Sequence, residues 1–429
     1  MSENLNRREF VNRTAVGGVV AGTVLASGPS RAAKSPGNTV VVGIMGLSRG
    51  RALAAGFAKQ PGVRVKYVCD VDKKRLGGGV TAVESAGGST PQAIGDFRRI
   101  LDDGEVDALV CAAPDHWHAP ATILACAAGK HVYVEKPCCQ NPREGELMVA
   151  AARKHRRAVQ MGSQRRSGEK FREAMALLHK GVLGRVYCSR SWYAAGRGSI
   201  GTGKPAAVPV NLDYELWQGP APRVPYMDNR IHYNWHWFWN WGTGELGNNG
   251  VHTLDLSRWG LDVDYPIRVT SSGGRYVFRD DQQTPDTHDV CFEFPGGKQI
   301  TWQALSCNRH SSGFVDFYAE KGSLSLDSSG NYKIFDARNR PIKSVTKANR
   351  GDAEHIANLV AAIRGNKPES LNAEIEIGYK STLLCHLGNI AHRTGRTLNC
   401  SAENGHILGD EKAMAYWKRD YEKGWEPRV

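Results

Sequence analysis

The chain has 429 residues, with 56 Lys and Arg against 43 Asp and Glu and a formal net charge of +13. This length predicts two or three domains with ample hydrophobic core. The densest basic run, residues 154–157, ends a predicted helix, where positive charge is favourable. We therefore interpret the charge as a solvated surface and expect no nucleic-acid partner.

Residues 1–33 have the pattern of an export signal. Arg7 and Arg8 form a twin-arginine pair, an apolar stretch follows at residues 15–26, and small residues at 30–33 offer a cleavage site. The apolar stretch is too short and glycine-rich for a stable membrane span. Because twin-arginine export carries folded proteins, often with a cofactor bound, we predict a periplasmic enzyme loaded in the cytoplasm.

The ten cysteines predict neither a disulfide nor a metal site. Cys69, Cys111 and Cys126 lie within apolar patterns, where a free thiol behaves as a small hydrophobe. Cys138 and Cys139 are adjacent, and the sequence contains no C-x-x-C motif.

From residue 38 to about residue 163, short apolar runs alternate with segments of helical periodicity. This alternation predicts an α/β fold, a Rossmann domain with a doubly wound parallel sheet. The predicted strands are residues 39–45, 63–69, 106–111, 131–135 and 158–161, and the predicted helices are residues 51–59, 93–102, 120–128 and 142–154.

Residues 164–429 predict a C-terminal α+β domain with a large, mostly antiparallel sheet. The Gly/Pro-rich stretch at residues 196–225 is long enough to indicate a functional loop or an arm. Predicted strands are residues 185–193, 268–278, 290–294, 299–304, 314–319 and 323–326, and predicted helices are residues 169–179, 353–363 and 377–394.

A glycine-rich turn joins the first predicted strand to the first helix at residues 43–50 (GIMGLSRG). Such a turn lets a pyrophosphate approach the N-terminus of a helix. The fingerprint is imperfect, because a serine replaces the second glycine and the last glycine comes one residue early. Predicted cofactor contacts from this turn are Gly43, Gly46, Ser48, Arg49 and Gly50.

Asp70 ends the second predicted strand, where an acid binds both ribose hydroxyls of NAD and repels the 2′-phosphate of NADP. We therefore predict NAD, while the nearby basic residues 73–75 leave NADP open. A structural strand-turn-helix with a surface aspartate is the alternative.

Two further strands end in polar residues at the same predicted edge, where open α/β sheets bind ligands. The motif at residues 114–118 (PDHWH) places Pro114 and His118 beside a nicotinamide ring, or else Trp117 packs and His118 caps the next helix. The segment 131–137 (HVYVEKP) delivers Glu135 and Lys136 to this edge, unless Lys136 is a solvated lysine in a turn.

Three further motifs accompany these: VGIMG at residues 42–46, CDVD at residues 69–72 and GNNGVHTLD at residues 247–255. Together the motifs resemble those of the glucose–fructose oxidoreductase/inositol 2-dehydrogenase family, also called Gfo/Idh/MocA. The resemblance covers nearly all of residues 38–429. It implies a Rossmann domain with bound NAD or NADP, sugar or cyclitol substrates, and a homo-oligomer formed through the C-terminal sheet.

The resemblance also implies roles for individual residues. The family's catalytic lysine falls on Lys136, and the histidine that many members use for proton transfer falls on His252. The acid found four residues earlier in the inositol dehydrogenase pattern is here Asn248, whose amide can hydrogen-bond a sugar hydroxyl but cannot orient a proton relay as a carboxylate does. Asp255 remains as a substrate contact or a structural acid.

Other residues are predicted to contact the substrate. The aromatic run at residues 233–241, represented by Trp235, forms a wall for the apolar face of a sugar or else part of an inter-domain core. Gln164, Arg165 and Arg166 follow the last Rossmann strand, and Arg165 or Arg166 could pair with an acidic sugar.

Two enzyme functions fit this pattern. The first is an NAD(P)-dependent oxidoreductase that acts on a secondary hydroxyl of a sugar, cyclitol or derivative, with a tightly held and recycled cofactor. The alternative is an NAD-dependent glycosidase or lyase that oxidises the sugar transiently and then eliminates. A silent sugar-binding protein is a third reading, and the presence of Lys136 and His252 argues against it.

Overall fold

The computed structural model describes residues 39–310 and 313–429. The predicted export signal lies outside these residues. Among the helices of the described part, none has the length and apolar character that a bilayer crossing requires.

The N-terminal domain contains a six-stranded parallel sheet with the strand order 3-2-1-4-5-6, which confirms the predicted Rossmann fold. The first strand, Val40–Met45, is buried along its whole length, as expected for a parallel strand covered on both faces. The strands are β1 (Val40–Met45), β2 (Val63–Cys69), β3 (Gln92–Ile94), β4 (Ala108–Cys111), β5 (His131–Val134) and β6 (Val159–Met161).

The helices of this domain differ from the prediction at one segment. Residues 93–102, predicted as one helix, begin as the edge strand β3, which pairs with β2, and a short helix starts only at Arg98. The carboxylate of Asp96 accepts the backbone N–H of Arg98 and separates the two elements. The helices are α1 (Gly50–Ala58), α2 (Lys73–Glu84), α3 (Arg98–Asp102), α4 (Asp115–Ala127) and α5 (Pro142–His155).

The C-terminal domain is built on a ten-stranded sheet in which only the β7–β10 pair is parallel, as the predicted mostly antiparallel sheet requires. Along β9, buried and half-buried residues alternate, which gives the sheet a core face and an open face. The strands are β7 (Val186–Gly196), β8 (Arg268–Gly274), β9 (Thr287–Phe294), β10 (Lys298–Leu305), β11 (Cys307–Asn308), β12 (Val315–Ala319), β13 (Gly322–Leu326), β14 (Tyr332–Asp336), β15 (Pro341–Val345) and β16 (Leu398–Asn399).

Helices of the C-terminal part cover the core face of this sheet and also contact the Rossmann domain. Leu359 and Val360 of one such helix belong to the same buried cluster as Val42 and Ile44 of β1. The helices are α6 (Glu169–His179), α7 (Tyr214–Gln218), α8 (Val251–Leu261), α9 (Asp352–Gly365), α10 (Ile375–Thr394) and α11 (Glu411–Met414).

Candidate active site

A cleft at the carboxyl edge of the parallel sheet encloses about 1300 Å³, part of which is open to solvent. It lies where open α/β sheets bind ligands. Residues from both domains line it. The predicted site residues in its wall are Gly46, Ser48, Arg49, Asp70, Pro114, His118, Glu135, Lys136, Gln164, Trp235, Asn248 and His252.

The glycine turn begins the cleft. Gly46 has φ +86°, and a Cβ there would lie 2.6 Å from the carbonyl oxygen of Ala112, so only glycine fits. Gly43 and Gly50 do not line the cleft. A Cβ on Gly43 would meet Ile100 at 2.5 Å, and one on Gly50 would meet Ile44 at 3.2 Å. The lack of a side chain at these two glycines therefore serves packing, and their contacts with a cofactor stay a prediction.

Asp70 faces the glycine turn. Its carboxylate accepts the backbone N–H of Leu47 at 2.8 Å and that of Asp72 at 2.9 Å. Burial raises the pKa of Asp70, and these two N–H donors partly offset that effect. With the narrow glycine turn beside it, this acceptor fits the ribose hydroxyls of NAD.

Arg49 and Glu135 form an ion pair on the wall of the cleft. The guanidinium donates from Nε to Glu135 at 3.1 Å and from Nη2 to Asp352 at 3.1 Å. Burial would lower the pKa of Arg49, but the Glu135 carboxylate raises it above its usual range. Arg49 is therefore a fixed cation at the end of the glycine turn.

Lys136 points into the cleft from the end of β5, through a cis Lys136–Pro137 peptide. Its Nζ donates to the backbone oxygen of Asn248 at 2.6 Å and to the side-chain oxygen of Asn248 at 3.1 Å. Burial lowers the pKa of Lys136. In its neutral form the amine can donate its two N–H groups to Asn248 and keep its lone pair available for a proton.

His252 lies four residues after Asn248, at the start of α8. The preceding turn, Leu246–Gly250, is one turn of π-helix, a geometry often found at functional sites. Burial lowers the pKa of His252 well below its usual value, and nearby arginine and lysine charges lower it further. The imidazole is therefore neutral, and no described residue lies within hydrogen-bonding distance of its ring.

Asp115 is a lining residue that the sequence analysis did not select. It is 2 % exposed, and its carboxylate accepts the hydroxyl of Thr243 at 2.7 Å. Burial raises its pKa to about 6. An acid in the first turn of a helix, directly after a strand of a parallel sheet, is the signal that could have identified it.

The raised pKa of Asp115 predicts a pH-dependent stability difference. The folded protein binds this proton more tightly than the unfolded chain, so Asp115 destabilises the fold increasingly as pH rises from about 4 to about 6. We expect Asp115→Asn to gain thermal stability over wild type across this window, with a constant gap above it. Melting temperatures measured from pH 4 to 8 test this, and a gap independent of pH would contradict it.

His118 lies inside α4, because that helix begins at Asp115, and it therefore does not cap the helix as one interpretation required. Its two ring nitrogens lie 2.6 Å from the carbonyl oxygen of Pro137 and 2.8 Å from that of Ala113. His118 thus ties the end of β4 to the turn that carries Lys136. Trp117 packs edge-on against Phe97, at 5.3 Å between ring centroids.

The aromatic run at residues 233–241 contributes some side chains to the wall of the cleft and others to the core. Trp235 lines the cleft and stacks on His236 at 3.6 Å between ring centroids. His236, which sequence reasoning did not select, also lines the cleft, and burial lowers its pKa to about 3. Trp237 and Trp241 are buried in the core instead.

Asp255 lies in the core and not in the cleft. Its carboxylate accepts two hydrogen bonds from Nε of Arg166, both at 2.9 Å, and one from the hydroxyl of Ser381 at 2.6 Å. Both side chains of this ion pair are almost fully buried. Arg166 and Ser381 therefore occupy this carboxylate outside the cleft lining, which favours the structural role of Asp255 over a substrate contact.

Comparison with known proteins identifies the family. Residues 38–163 match the family described as "Oxidoreductase family, NAD-binding Rossmann fold", and residues 189–426 match its C-terminal alpha/beta domain. The chain belongs to the Gfo/Idh/MocA oxidoreductase family. The resemblance seen in the sequence is therefore confirmed, and the N-terminal domain is an NAD-binding domain of this family.

Two curated relatives come from Saccharopolyspora erythraea. A glycosyl hydrolase family 109 protein is 32 % identical over 154 residues, which are 34 % of this chain and 33 % of that protein. Inositol 2-dehydrogenase 2 is 31 % identical over 251 residues, which are 58 % of this chain and 59 % of that protein. These matches therefore span about a third to about three fifths of the relatives.

Solved structures of Gfo/Idh/MocA-like fold agree with this architecture. Aldose-aldose oxidoreductase from Caulobacter crescentus superimposes with a TM-score of 0.64 at 21 % identity, covering 84 % of this chain and 99 % of that one. Levoglucosan dehydrogenase in complex with NADH gives a TM-score of 0.64 at 17 % identity, with the same coverage. At these identities the likeness shows a shared fold.

Proposed function

We propose that this protein is an NAD-dependent oxidoreductase that acts on a secondary hydroxyl of a sugar, a cyclitol or a related derivative. One observation carries the proposal. The Lys136 amine donates to Asn248 and lines the same cleft as Gly46 and Asp70. His252, which is distant in sequence, lines this cleft as well. A proton acceptor and a nucleotide cradle thus share one cavity.

The chemistry divides between the cofactor and the protein. When bound, NAD would supply the hydride acceptor for the carbon that carries the hydroxyl. The hydroxyl proton must leave at the same time, and the lowered pKa of Lys136 makes its amine a usable general base. His252, neutral and without another partner in the described part of the chain, can accept or donate a hydrogen bond at the same hydroxyl.

A clamp from the second domain supports a retained cofactor. Residues 209–217 cross the loop after β2, where Asp72 and Leu212 form an antiparallel bridge. The Asp72 carboxylate accepts Nδ2 of Asn211 at 2.6 Å and contacts Nε2 of His232 at 2.8 Å. Leu216, Trp217 and His232 also line the cleft, so nucleotide release requires these contacts to open.

The clamp predicts slow release of NAD. Asn211→Ala removes one hydrogen bond to the buried Asp72 carboxylate, and we expect NAD to dissociate about tenfold faster. Stopped-flow displacement of bound NAD by excess labelled NAD measures this rate. Asn229→Ala removes an amide of the second domain that donates to Asp281 and does not contact Asp72, so it is the control and should leave the rate unchanged. An unchanged dissociation rate in Asn211→Ala would show that the contact between Asn211 and Asp72 does not retain NAD.

We propose export by the twin-arginine route to the periplasm, for which a retained cofactor is suited. Free NAD is scarce outside the cytoplasm, so the nucleotide would be reduced and reoxidised within each catalytic cycle.

We also propose a homo-oligomer that uses the open face of the C-terminal sheet, where half-buried polar residues such as Asp289 and Thr301 border a shallow cavity. Light scattering of the purified protein tests the oligomer.

A glycosidase that works through transient oxidation is the second candidate. The similarity to a glycosyl hydrolase family 109 protein favours it. Oxidation of a hydroxyl acidifies the neighbouring C–H, which permits elimination of a glycoside, and Asp115 supplies a carboxyl group in the cleft whose pKa burial raises to about 6. This route needs no pair of catalytic carboxylates.

One experiment tests the proposed function and separates the two candidates. The purified protein is treated with acid to release and identify its nucleotide, and the native protein is then given free sugars or glycosides without added NAD. Paired oxidation and reduction of free sugars supports the oxidoreductase, and cleavage of glycosides supports the glycosidase. Absence of both nucleotide and turnover would overturn both.

A further inference from the structure

His236 presents an unpaired hydrogen-bond acceptor in the wall of the cleft. Its Nδ1 lies 2.6 Å from the carbonyl oxygen of Tyr233, and because a carbonyl oxygen can only accept, Nδ1 carries a proton. Burial lowers the pKa of His236 to about 3, so the ring is neutral near neutral pH and Nε2 is an acceptor. This half-buried side chain lines the cleft, and within residues 39–310 and 313–429 its Nε2 has no hydrogen-bond partner.

The imidazole of His236 is held in one orientation. It stacks on the ring of Trp235 at 3.6 Å between ring centroids, with 19° between the ring planes. The backbone is also closely packed, because a Cβ on Gly242 would lie 2.5 Å from the carbonyl oxygen of His236. Together with the hydrogen bond to Tyr233, these contacts restrict rotation of the ring, so Nε2 is a preorganised acceptor.

The segment that carries His236 is attached to the turn that carries Lys136. Gln140, four residues after Lys136, donates from Nε2 to the carbonyl oxygen of Trp239 at 2.8 Å. Trp239 follows His236 by three residues, and the side chains of His236 and Lys136 both line the cleft. The unpaired acceptor therefore lies at the end of the cleft where the proposed function places the oxidised hydroxyl, on the wall that the second domain supplies.

A second connection runs through an ion pair of the C-terminal domain. Nη1 of Arg197 donates to the hydroxyl of Tyr233 at 2.8 Å, and its Nε donates to Glu245 at 2.5 Å. Glu245 directly precedes the π-helical turn that binds the Lys136 amine. These contacts fix Tyr233, and hence the carbonyl group that orients His236, relative to the proposed general base.

We propose that His236 determines substrate specificity by accepting a hydrogen bond from a second hydroxyl group of the substrate, distinct from the one that is oxidised. This inference rests on the proposed function and deepens it, because it requires a substrate with at least two hydroxyl groups within reach of this cleft. Lys136 and His252 already serve the oxidised hydroxyl, which leaves His236 for another one. An analogue without that second hydroxyl would leave the acceptor unpaired.

The test compares parent sugars with their deoxy analogues on the NAD-containing protein. Glucose, galactose, mannose and myo-inositol are each measured beside their monodeoxy analogues, with kcat/KM taken from reduction of bound NAD and Kd from calorimetric titration. The analogue that lacks the oxidised hydroxyl is inert. We expect one further analogue to fall about tenfold or more below its parent, since a site built to bind a substrate hydroxyl rejects an analogue without it.

Two substitutions separate the roles of the two ring nitrogens. In His236→Asn the amide N–H can replace Nδ1 at the Tyr233 carbonyl but nothing replaces Nε2, so the parent should fall to the level of its deoxy analogue. In His236→Gln the longer amide can bring an oxygen to the position of Nε2, and part of the selectivity should remain. His179→Asn is the control and should keep the full selectivity, because this exposed histidine also contacts a backbone carbonyl, that of Trp259 at 2.7 Å, but does not line the cleft.

Three results would overturn the inference and leave the proposed function intact. In the first, every analogue that keeps the oxidised hydroxyl matches its parent in the wild type. In the second, His236→Asn keeps the wild-type selectivity. In the third, His236→Asn folds as the wild type does but loses bound NAD, which would place His236 against the nucleotide. By contrast, absence of both bound NAD and sugar oxidation in the wild type would contradict the proposed function itself, and the inference would fall with it.

Discussion

Lys136→Met is expected to lower kcat/KM by about 10²- to 10⁴-fold, the range associated with loss of a general base. Methionine keeps most of the side-chain volume but cannot accept the hydroxyl proton. Burial lowers the pKa of Lys136, so wild-type kcat/KM should rise with pH as the amine loses its proton and then level off below the usual lysine range. Steady-state rates across pH measure both effects, and the variant should lose this rise.

Lys130 provides a matched control for this variant. It is also a buried lysine, and its Nζ donates to the backbone oxygens of Asp103 at 2.7 Å and Val106 at 2.9 Å, away from the cleft. Lys130→Met should lower stability and leave kcat/KM and its pH profile almost unchanged. A Lys136→Met enzyme with near-normal turnover would show that Lys136 is not the base.

Asp255→Ala is expected to lower the free energy of unfolding by about 3–5 kcal/mol, because it leaves Arg166 as an uncompensated buried charge. The two side chains are 2 % and 7 % exposed, so water cannot replace the lost carboxylate. The hydroxyl of Ser381 would also lose its acceptor at 2.6 Å, which leaves the carbonyl oxygen of Ile377 at 3.3 Å. Urea unfolding followed by tryptophan fluorescence measures the change.

An exposed ion pair supplies the comparison. Arg64 pairs with Glu105 at 3.1 Å on the surface of the Rossmann domain, where both side chains are substantially solvated. Arg64→Ala should leave the unfolding midpoint nearly unchanged, since exposed ion pairs contribute little. If Asp255→Ala unfolds at the wild-type urea concentration but loses sugar binding, Asp255 contacts substrate after all and its structural role is wrong.

The sequence predicts the buried elements well, because burial imposes a clear apolar pattern. The strand predicted at residues 63–69 and the helix predicted at residues 169–179 match β2 and α6 residue for residue. The edge strand β3 was missed. It is three residues long and mostly exposed, so neither length nor periodicity distinguishes it from the start of a helix.

The start of α4 shows a different limit. Pro120 resembles the first residue of a helix, yet the helix begins at Asp115 and contains the proline. A proline within a helix leaves one carbonyl without its N–H donor, four residues earlier. Here that carbonyl belongs to His116, and Nη2 of Arg419 donates to it at 2.7 Å. A contact between residues 303 positions apart cannot be read from local sequence.

In the candidate site as well, some residues could be predicted from the sequence and others could not. Motifs at strand ends identified Lys136 and Asp70, because topology brings all carboxyl ends of a parallel sheet to one edge. His252, at the start of α8, was identified by the family resemblance. Pairing decided the roles of the other charged residues. The sequence treats Arg165 and Arg166 alike, and only the fold shows that Arg166 pairs with Asp255, whereas Arg165 has no carboxylate partner among the residues that the structure describes.

The most direct measurement is a single-turnover experiment on the purified protein without added cofactor. The nucleotide is quantified per chain, a sugar that the protein turns over is mixed in, and the near-ultraviolet absorbance of NADH is followed. We expect about one NAD per chain, reduced rapidly in wild type and retained but reduced about 10²- to 10⁴-fold more slowly in Lys136→Met. A protein that holds no NAD, or a Lys136→Met variant that reduces it at the wild-type rate, would contradict the proposed roles of the nucleotide cleft and Lys136.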